Sequence, residues 1–313
     1  MQHYRHPPVH CHVLGSAAGG GFPQWNCNCP NCDGLRKGTI RASARTQSSI
    51  AVSGDGRDWV LINASPDVLQ QIRSFAPLQP ARSLRDTGIR AILLMDAQVD
   101  HTTGLFMLRE HREPLQVWCT PQVREDLTTG NPIFDLLGHY CGVDWRPLPV
   151  DAEGFEMPGI GGLRFTALPL SSKAPPYSPH REDPQPGDNV GLVITDSRSG
   201  ARLFYAPGLG RMEPHVWAAM QRADCVLVDG TLWTEDEMIR LGASAKHSRD
   251  MGHLPQTGAD GMIEWLDRLP VTTRRVLIHI NNTNRILDED SEERALLAAH
   301  DIEVAHDGLA IEL

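Results

Sequence analysis

Three cysteines lie within six positions of this sequence, just after a run of three glycines. Cys27, Cys29 and Cys32 belong to the segment GGGFPQWNCNCPNC, and the whole chain of 313 residues has seven cysteines. A group this compact is a disulfide, a metal site or a set of catalytic thiols. Three thiolates on a short loop cover three faces of a tetrahedral metal ion, and its fourth ligand must then come from elsewhere in the chain.

A second group of polar residues follows a predicted buried strand. In AILLMDAQVDHTTGLFML the apolar run ends at Met95, and Asp96, Gln98, Asp100 and His101 come next, before a predicted helix that starts near Thr103. Open α/β folds place their binding sites at the carboxyl ends of strands. Carboxylates and an imidazole at such a point are candidate metal ligands. The alternative for Asp100 is a helix N-cap with a neighbouring surface histidine.

Composition and charge argue against several classes of protein. The net charge of −10 does not suit a nucleic-acid binder, which needs a basic surface. No apolar run approaches the ~20 residues that span a membrane. The first ten residues have no apolar core of a secretory signal. We therefore expect a cytoplasmic protein, and in that compartment a tight cysteine cluster is more often a metal site than a disulfide.

Short β-rich runs recur along the chain, and helical patterns fall between some of them. The motif Ser65-Pro66-Asp67 is typical of a helix start. This alternation predicts an α/β domain with helices outside packed sheets, and no linker divides residues 1–313 into smaller domains. The predicted strands are His12–Leu14, Ser48–Val52, Trp59–Ile62, Ile89–Met95, Leu115–Cys119, Leu163–Leu170, Val190–Thr195, Arg202–Tyr205, Cys225–Val228, Arg275–Ile280, Ile302–Ala305 and Leu309–Leu313. Further predicted helices are Met212–Arg222, Trp233–Leu241, Ala259–Arg268 and Glu292–His300.

The segment DAQVDHTTG resembles the metal-binding signature of the metallo-β-lactamase superfamily, which is His-x-His-x-Asp-His followed by glycine. Asp100 and His101 match its Asp-His pair, whereas Asp96 and Gln98 stand where its two leading histidines would be. The resemblance implies a four-layer αββα sandwich with the site at one edge of the sheets. It leaves Asp96 and Gln98 as candidates for catalysis, for substrate binding or for a structural role.

The same resemblance assigns roles to histidines far along the chain. His279, in RRVLIHINN, matches the superfamily's last metal-binding histidine, and His253, in RDMGHLPQ, matches an active-site histidine of phosphodiesterase-like members. One carboxylate and two imidazoles with open positions suit mononuclear Fe(II) oxygen chemistry. Two-metal hydrolysis needs ligands for a second ion, which this chain lacks. His253 is then a group that moves protons or contacts substrate, unless it only caps its loop. Asn63 matches a residue that orients the superfamily's site.

Segments from Gly15 to the C-terminus, among them GSAAGGGFPQWNCNCPNC and HINNTNRILDEDSEER, together resemble the coenzyme PQQ synthesis protein B family. The resemblance implies a role in making pyrroloquinoline quinone (PQQ) from a peptide with cross-linked Glu and Tyr side chains. One implied reaction is iron- and O2-dependent hydroxylation of the tyrosine-derived ring. The alternatives are carriage of PQQ or its precursor towards the periplasm without turnover, and metal-dependent hydrolysis. The implied partners are the small-molecule precursor and other proteins of the pathway. We favour hydroxylation, because a carrier does not need an open metal triad.

For the cysteines, the resemblance implies a structural zinc ion. Relatives bind it through Cys-x-Cys-x2-Cys and through a histidine three residues after the last active-site histidine. Asn282 stands at that position here. The fourth ligand is therefore the Asn282 oxygen, another histidine or a water.

A proline-rich stretch, SSKAPPYSPHREDPQPGDN, runs from Ser171 to Asn189. A loop of this length inside a compact domain is usually functional or disordered. Lys173, His180 and Arg181 are candidates to bind the carboxylates of an acidic, amino-acid-derived substrate. The alternative is a flexible surface loop. Arg45, in ARTQSS, is a further candidate of the same kind.

Overall fold

Residues 9–151 and 153–313 are described by a computed structural model. Residues 1–8, in which we predict no secretory signal, lie outside the described residues. Across the described part of the chain, every helix is too short or too polar to cross a lipid bilayer.

The strands of the described residues form two mixed sheets. The first has seven strands in the order β13-β1-β2-β3-β4-β5-β6, and the second has six in the order β12-β11-β10-β9-β8-β7. The strands are β1 His10–Gly15, β2 Ser49–Ser53, β3 Trp59–Ile62, β4 Ile89–Leu93, β5 Leu115–Cys119, β6 Val143–Pro147, β7 Leu163–Pro169, β8 Val190–Asp196, β9 Arg202–Ala206, β10 Cys225–Asp229, β11 Arg274–Ile278, β12 Glu303–Val304 and β13 Ala310–Glu312.

Short helices connect the strands. The α-helices are α1 Pro30–Lys37, α2 Val68–Ser74, α3 Val99–Thr102, α4 Pro121–Asp126, α5 Ile133–Leu137, α6 Pro214–Met220, α7 Glu237–Arg240, α8 Met262–Asp267 and α9 Glu292–Ala299. Short 3-10 helices occupy Ala76–Leu78, Thr103–Leu108, Arg249–Met251 and Arg285–Leu287.

Both faces of each sheet are covered, which explains why the central strands are apolar throughout. In β3, Val60 and Ile62 pack into the core between the sheets, whereas Leu61 packs under the outer helices. In β10, Leu227 faces the inter-sheet core and Val228 faces the opposite helices. Because successive side chains on a strand point to opposite faces, a strand buried on both sides has no polar alternation. The layers are thus helix, sheet, sheet and helix, as the resemblance implies.

Parallel strands bring several strand ends to one edge. β3 pairs in parallel with β4, and β10 pairs in parallel with β9 and β11. Asn63 and His279 follow the last residues of β3 and β11 and have φ angles of 62° and 59°. Non-glycine residues in this left-handed region are strained, and such residues are concentrated at functional sites. Here the left-handed conformation turns the chain sharply at the edge where the strands end.

The structure corrects some predicted boundaries. The helix predicted near Thr103 begins earlier, at Val99, so that Asp100 and His101 lie within α3. Ser65 does not cap α2, because its hydroxyl accepts a hydrogen bond from the Asp67 amide and forms a turn before the helix. The helix predicted over Trp233–Leu241 shortens to α7. Strand β6 and helices α1, α4 and α5 are additional to the predicted elements. The single-domain organisation stays a prediction.

Candidate active site and metal centres

Asp100, His101 and His279 meet at the edge of the two sheets. The Asp100 Oδ2 atom lies 3.7 Å from His101 Nε2 and 3.6 Å from His279 Nε2. One donor atom from each residue lies within 4.8 Å of the other two. The three side chains predicted to share a metal ion therefore point at a common position, although 178 positions separate His101 from His279 in the chain.

The hydrogen bonds of His101 leave one ring nitrogen available as a ligand. Its Nδ1 atom lies 2.8 and 2.9 Å from the two carboxylate oxygens of Asp96, so it carries the proton and donates. The Nε2 atom is buried and has no hydrogen-bond partner within the described residues. A buried nitrogen without a partner is costly unless it binds something, so this site fits a metal ion. Asp96 orients His101 rather than acting as a ligand.

Charges around the triad favour an ionised carboxylate. Burial alone would raise the pKa of Asp100, but His101 and His279 hold it below its usual range. Burial alone would lower the pKa of His101, but Asp96 and Asp100 outweigh it and raise the pKa to about 9. A proton and a metal ion therefore compete for the Nε2 atom of His101. Gly19 packs against Asp100, and a Cβ atom there would lie 3.2 Å from Oδ2.

We expect Asp96→Asn to weaken metal binding at Asp100, His101 and His279 by about 10- to 100-fold, because His101 loses its orienting acceptor. Titration of the metal-free protein with Fe(II) or Zn²⁺ would measure this change. The matched control is Asp86→Asn, since the Asp86 carboxylate accepts only backbone hydrogen bonds in an exposed loop. Unchanged affinity in Asp96→Asn would contradict the orienting role.

His279 and His253 are both held by Thr231 and Asp229, two residues that are not among the predicted site residues. Thr231 Oγ1 lies 2.6 Å from Asp229 Oδ1 and donates its proton to that carboxylate oxygen. Because the hydroxyl proton is used in this way, Thr231 Oγ1 accepts a hydrogen bond from His279 Nδ1, which lies 3.0 Å away. His253 Nδ1 lies 2.7 Å from Asp229 Oδ2, and its ring stacks on His279 with centroids 5.3 Å apart. In the neutral form of each ring, Nδ1 then carries the proton and Nε2 is the acceptor. Asp229 follows the buried run CVLV, which is the signal that identified Asp96.

Asp229 is better placed to orient His253 than to bind a metal ion. Asp229, His253 and His279 do offer three donor atoms within 4.8 Å. However, the Asp229 carboxylate already accepts hydrogen bonds from the Leu209 amide and from Thr231. Burial alone would lower the pKa of His253, but the neighbouring Asp229 carboxylate raises it. His253 is thus a fixed imidazole with a free Nε2 and a pKa shifted upward from its ordinary value.

A cavity of about 330 Å³ opens beside the triad. Asp96, Gln98 and His253, the three predicted catalytic candidates, line it. Among the predicted substrate-binding residues, Lys173 and Arg181 also line it. The proline-rich loop therefore covers the active site with part of its length.

His180 and Arg45 lie away from this cavity, in contrast to their predicted role. His180 is held by Asp188, 2.9 Å from Nδ1, and by Glu125, 3.2 Å from Nε2, which fastens the loop to α4. Arg45 is 5% exposed, and its guanidinium donates to the Ala305 carbonyl. His180 and the Nη1 atom of Arg45 are thus committed to neighbours within the fold, so we assign both side chains to structural roles.

The anchoring of the loop by His180 is expected to depend on pH. The hydrogen bond to Asp188 raises the pKa of His180, with further support from Glu125 and Asp126. A raised pKa means that the contact is fully present below about pH 6.5, the ordinary value, and is lost as pH rises through the raised value. Hydrogen exchange of residues 171–189, corrected for intrinsic rates, should show lower protection at pH 9 than at pH 6. In His180→Gln the protection of these residues should be the same at pH 6 and pH 9. An equal decrease in protection in this variant would contradict the anchoring role of His180.

The three cysteines form a second candidate metal site. Their Sγ atoms lie within 4.8 Å of one another, and none of the chain's cysteines is in a disulfide. Asn282 Nδ2 lies 3.0, 3.6 and 3.3 Å from the Sγ atoms of Cys27, Cys29 and Cys32. Since the two ends of an amide are nearly the same shape, a rotation about the terminal bond presents its oxygen instead. The Asn282 side chain thus occupies the fourth corner of a tetrahedron, and the set fits zinc.

Comparison with known proteins supports this description of the fold. A family profile described as "Beta-lactamase superfamily domain" matches residues 58–280. The crystal structure of Zn²⁺-bound PqqB from Methylobacterium extorquens superposes with a TM-score of 0.89 at 40% sequence identity, over 97% of this chain and 100% of that chain. The four-layer fold implied by the sequence is confirmed.

Two relatives match over nearly their full lengths. Coenzyme PQQ synthesis protein B from Azoarcus sp. (strain BH72) is 73% identical over 301 residues, which are 96% of this chain and 99% of that protein. The protein of the same name from Methylobacillus flagellatus is 61% identical over 306 residues, which are 97% of this chain and 100% of that protein. The chain therefore belongs to the coenzyme PQQ synthesis protein B family, within the β-lactamase superfamily.

Proposed function

We propose that this protein acts in PQQ biosynthesis as an iron- and O2-dependent hydroxylase of the tyrosine-derived ring in the cross-linked Glu-Tyr intermediate. The observation that carries the proposal is the convergence of Asp100, His101 and His279 beside an open cavity, with His101 Nε2 buried and unpartnered. The names of its relatives support the pathway, and the donor set supports the reaction class.

One carboxylate and two imidazoles are the ligands of mononuclear Fe(II) oxygenases, in which the bound metal supplies O2 activation. Other divalent first-row metals compete for the same donors, so the metal in the cell is part of the proposal. Asp96 and Thr231 fix the two imidazole rings, and Gly19 leaves room for the Asp100 carboxylate. These residues hold the donors in position before substrate binds.

His253 is the group that moves a proton in this proposal. Its Nδ1 proton is committed to Asp229, so the lone pair on Nε2 is free to accept the proton of a phenolic hydroxyl bound in the cavity. Gln98 lines the same cavity, and its side-chain amide is assigned to hydrogen-bond an oxygen on the ring. The proline-rich loop limits the access of water.

The reaction balances only with an external reductant. One oxygen atom of O2 forms the new C–O bond and becomes a hydroxyl group. The other oxygen atom is reduced to water, which requires two electrons and two protons. The co-reductant is therefore a small two-electron donor, such as an enediol or a dithiol, which the assay must contain.

The test begins with protein loaded anaerobically with Fe(II) and mixed with the cross-linked diamino acid and ascorbate. Admission of O2 should give a product that is heavier by one oxygen atom, and 18O2 should label it. Tight binding without O2 consumption would instead indicate a carrier. Turnover with Zn²⁺ alone and without O2 would indicate a hydrolase.

A further inference from the structure

The cavity beside the metal triad is edged by two lysines from separate loops. Lys173 lies in the loop between β7 and β8, and Lys246 lies in the loop between α7 and the 3-10 turn Arg249–Met251. Both side chains are exposed and both line the cavity. Two positive charges are therefore presented to the same opening from different parts of the chain.

Lysine is rare in this protein, which makes the placement of these two unusual. The chain has 29 basic residues other than histidine, and only Lys37, Lys173 and Lys246 are lysines. Lys37 pairs with Asp33 at 2.8 Å on the surface of α1, far along the chain from the cavity loops. The other two are both at the active-site opening. Positive charge elsewhere in the chain is supplied by arginine.

The two cavity lysines have no acidic partner within the described residues. Among the residues that the structure describes, neither ammonium group has an ion pair within 4.0 Å or a hydrogen bond within 3.5 Å. By contrast, arginines elsewhere on the surface form ion pairs, as in Arg249 with Glu235 and Arg274 with Glu303. In a chain of net charge −10, acidic partners are plentiful, so unpaired cations at a cavity mark a place for an outside anion.

The acidic groups of the cavity are already engaged. Asp96 accepts from His101, and Asp100 faces the Nε2 atoms of the two triad histidines. Asp250 accepts a hydrogen bond from the His247 amide. Arg181, the third cation of the cavity, donates to the Ala174 carbonyl at 2.5 Å and is fixed to its own loop. Lys173 and Lys246 remain. The ammonium group of a lysine is a point charge on a flexible stem, whereas the guanidinium group of an arginine is a planar fork.

We propose that Lys173 and Lys246 bind carboxylate groups of the substrate from opposite loops, so that the cavity selects a compound with at least two carboxylates. Charge pairing at the rim leaves the uncharged ring directed towards Asp100, His101 and His279. Lys246 is thereby assigned a substrate-binding role, and Lys173 gains a partner in that role. This inference rests on the proposed function, because it specifies how the same cavity holds its substrate.

Equilibrium binding separates this inference from the question of catalysis. Calorimetry with Zn²⁺-loaded protein and the cross-linked diamino acid, without O2, measures the dissociation constant in the absence of turnover. Lys173→Met and Lys246→Met keep the aliphatic stem and remove the charge. Each is expected to weaken binding by about 5- to 10-fold, and the double variant by about 50-fold. The matched control, Lys37→Met, should bind as the unaltered protein does.

The substrate provides the complementary change. Amidation of its carboxylates should weaken binding to the unaltered protein and have little further effect on the double variant. In the Fe(II)-loaded protein, the two replacements should raise KM and leave kcat within about twofold. Unchanged affinity in the double variant, or an equal loss in Lys37→Met, would overturn the inference. If binding depends on the lysines but O2 is never consumed, the lysine assignment stands and the hydroxylase proposal fails.

Discussion

Replacing His101 with alanine is expected to abolish metal binding at the active site and to reduce turnover to background, while the protein keeps its fold and its cysteine-bound zinc. The replacement removes a ligand nitrogen that is buried and unpartnered, and it leaves the Asp96 carboxylate without its donor. Loss of a group that orients a ligand lowers the affinity for the metal ion by up to roughly 100-fold. Loss of the ligand itself should lower this affinity further. Elemental analysis after dialysis would show one metal ion fewer per chain.

The control for His101→Ala is His111→Ala, because His111 is a half-buried histidine whose ring bonds to the nearby Glu113 backbone and does not line the cavity. It should keep both metal ions and full turnover. If His101→Ala does not fold, His101→Gln fills more of the space and removes the imidazole. Retention of a stoichiometric active-site metal in either variant would contradict the ligand assignment. Loss of both metal ions together would contradict the separation of the two sites.

Replacing Cys32 with serine is expected to release the structural zinc and to lower both stability and activity. The Cys32 side chain is fully buried beside Asn282, and loss of a metal site is among the large destabilising changes, here about 3–5 kcal/mol. At roughly 2 °C per kcal/mol for a chain of this size, Tm should fall by about 6–10 °C. Thermal unfolding and zinc analysis measure the two effects.

Activity should fall with the zinc because the cysteine loop supports the segment that carries His279. Asn31, in α1, donates to the carbonyl oxygens of Asn282 and Asn284 at 3.1 and 2.8 Å. His279 lies three residues before Asn282 and is held with a φ of 59°. A loosened segment would move the imidazole away from Asp100, and misplacement of this kind costs about 10- to 100-fold in metal affinity.

Cys119→Ser separates the loss of zinc from the cost of a buried hydroxyl group. Cys119 is also fully buried, but it lies in β5, outside the cysteine cluster. A hydroxyl group buried there costs about 1–3 kcal/mol, so Tm should fall while the zinc content stays at one ion. Equal zinc loss in the two variants, or none in Cys32→Ser, would show that the cluster does not bind the ion.

Features that are encoded within a few neighbouring residues could be predicted from the amino-acid sequence. The spacing of Cys27, Cys29 and Cys32 predicts three thiols on one loop, and the structure places them together. The polar residues after the β4 strand predict a site at a strand end, because strand direction and burial follow from a short apolar run. The apolar strands likewise predict layered sheets, and the two sheets with outer helices confirm them.

Contacts between side chains that are distant in the chain could not be predicted in this way. Asp229 holds His253, and Lys246 lines the same cavity as Lys173. Neither pair lies within one sequence motif, so the spacing of residues does not predict the contact. His180 and Arg45 have suitable side chains for binding carboxylates, but Glu125 and Ala305, which are distant from them in sequence, contact these side chains. The reason is physical. A ligand set or a binding pair depends on distances of a few ångströms between strand ends and loops, and these distances are fixed by how two sheets pack rather than by local composition.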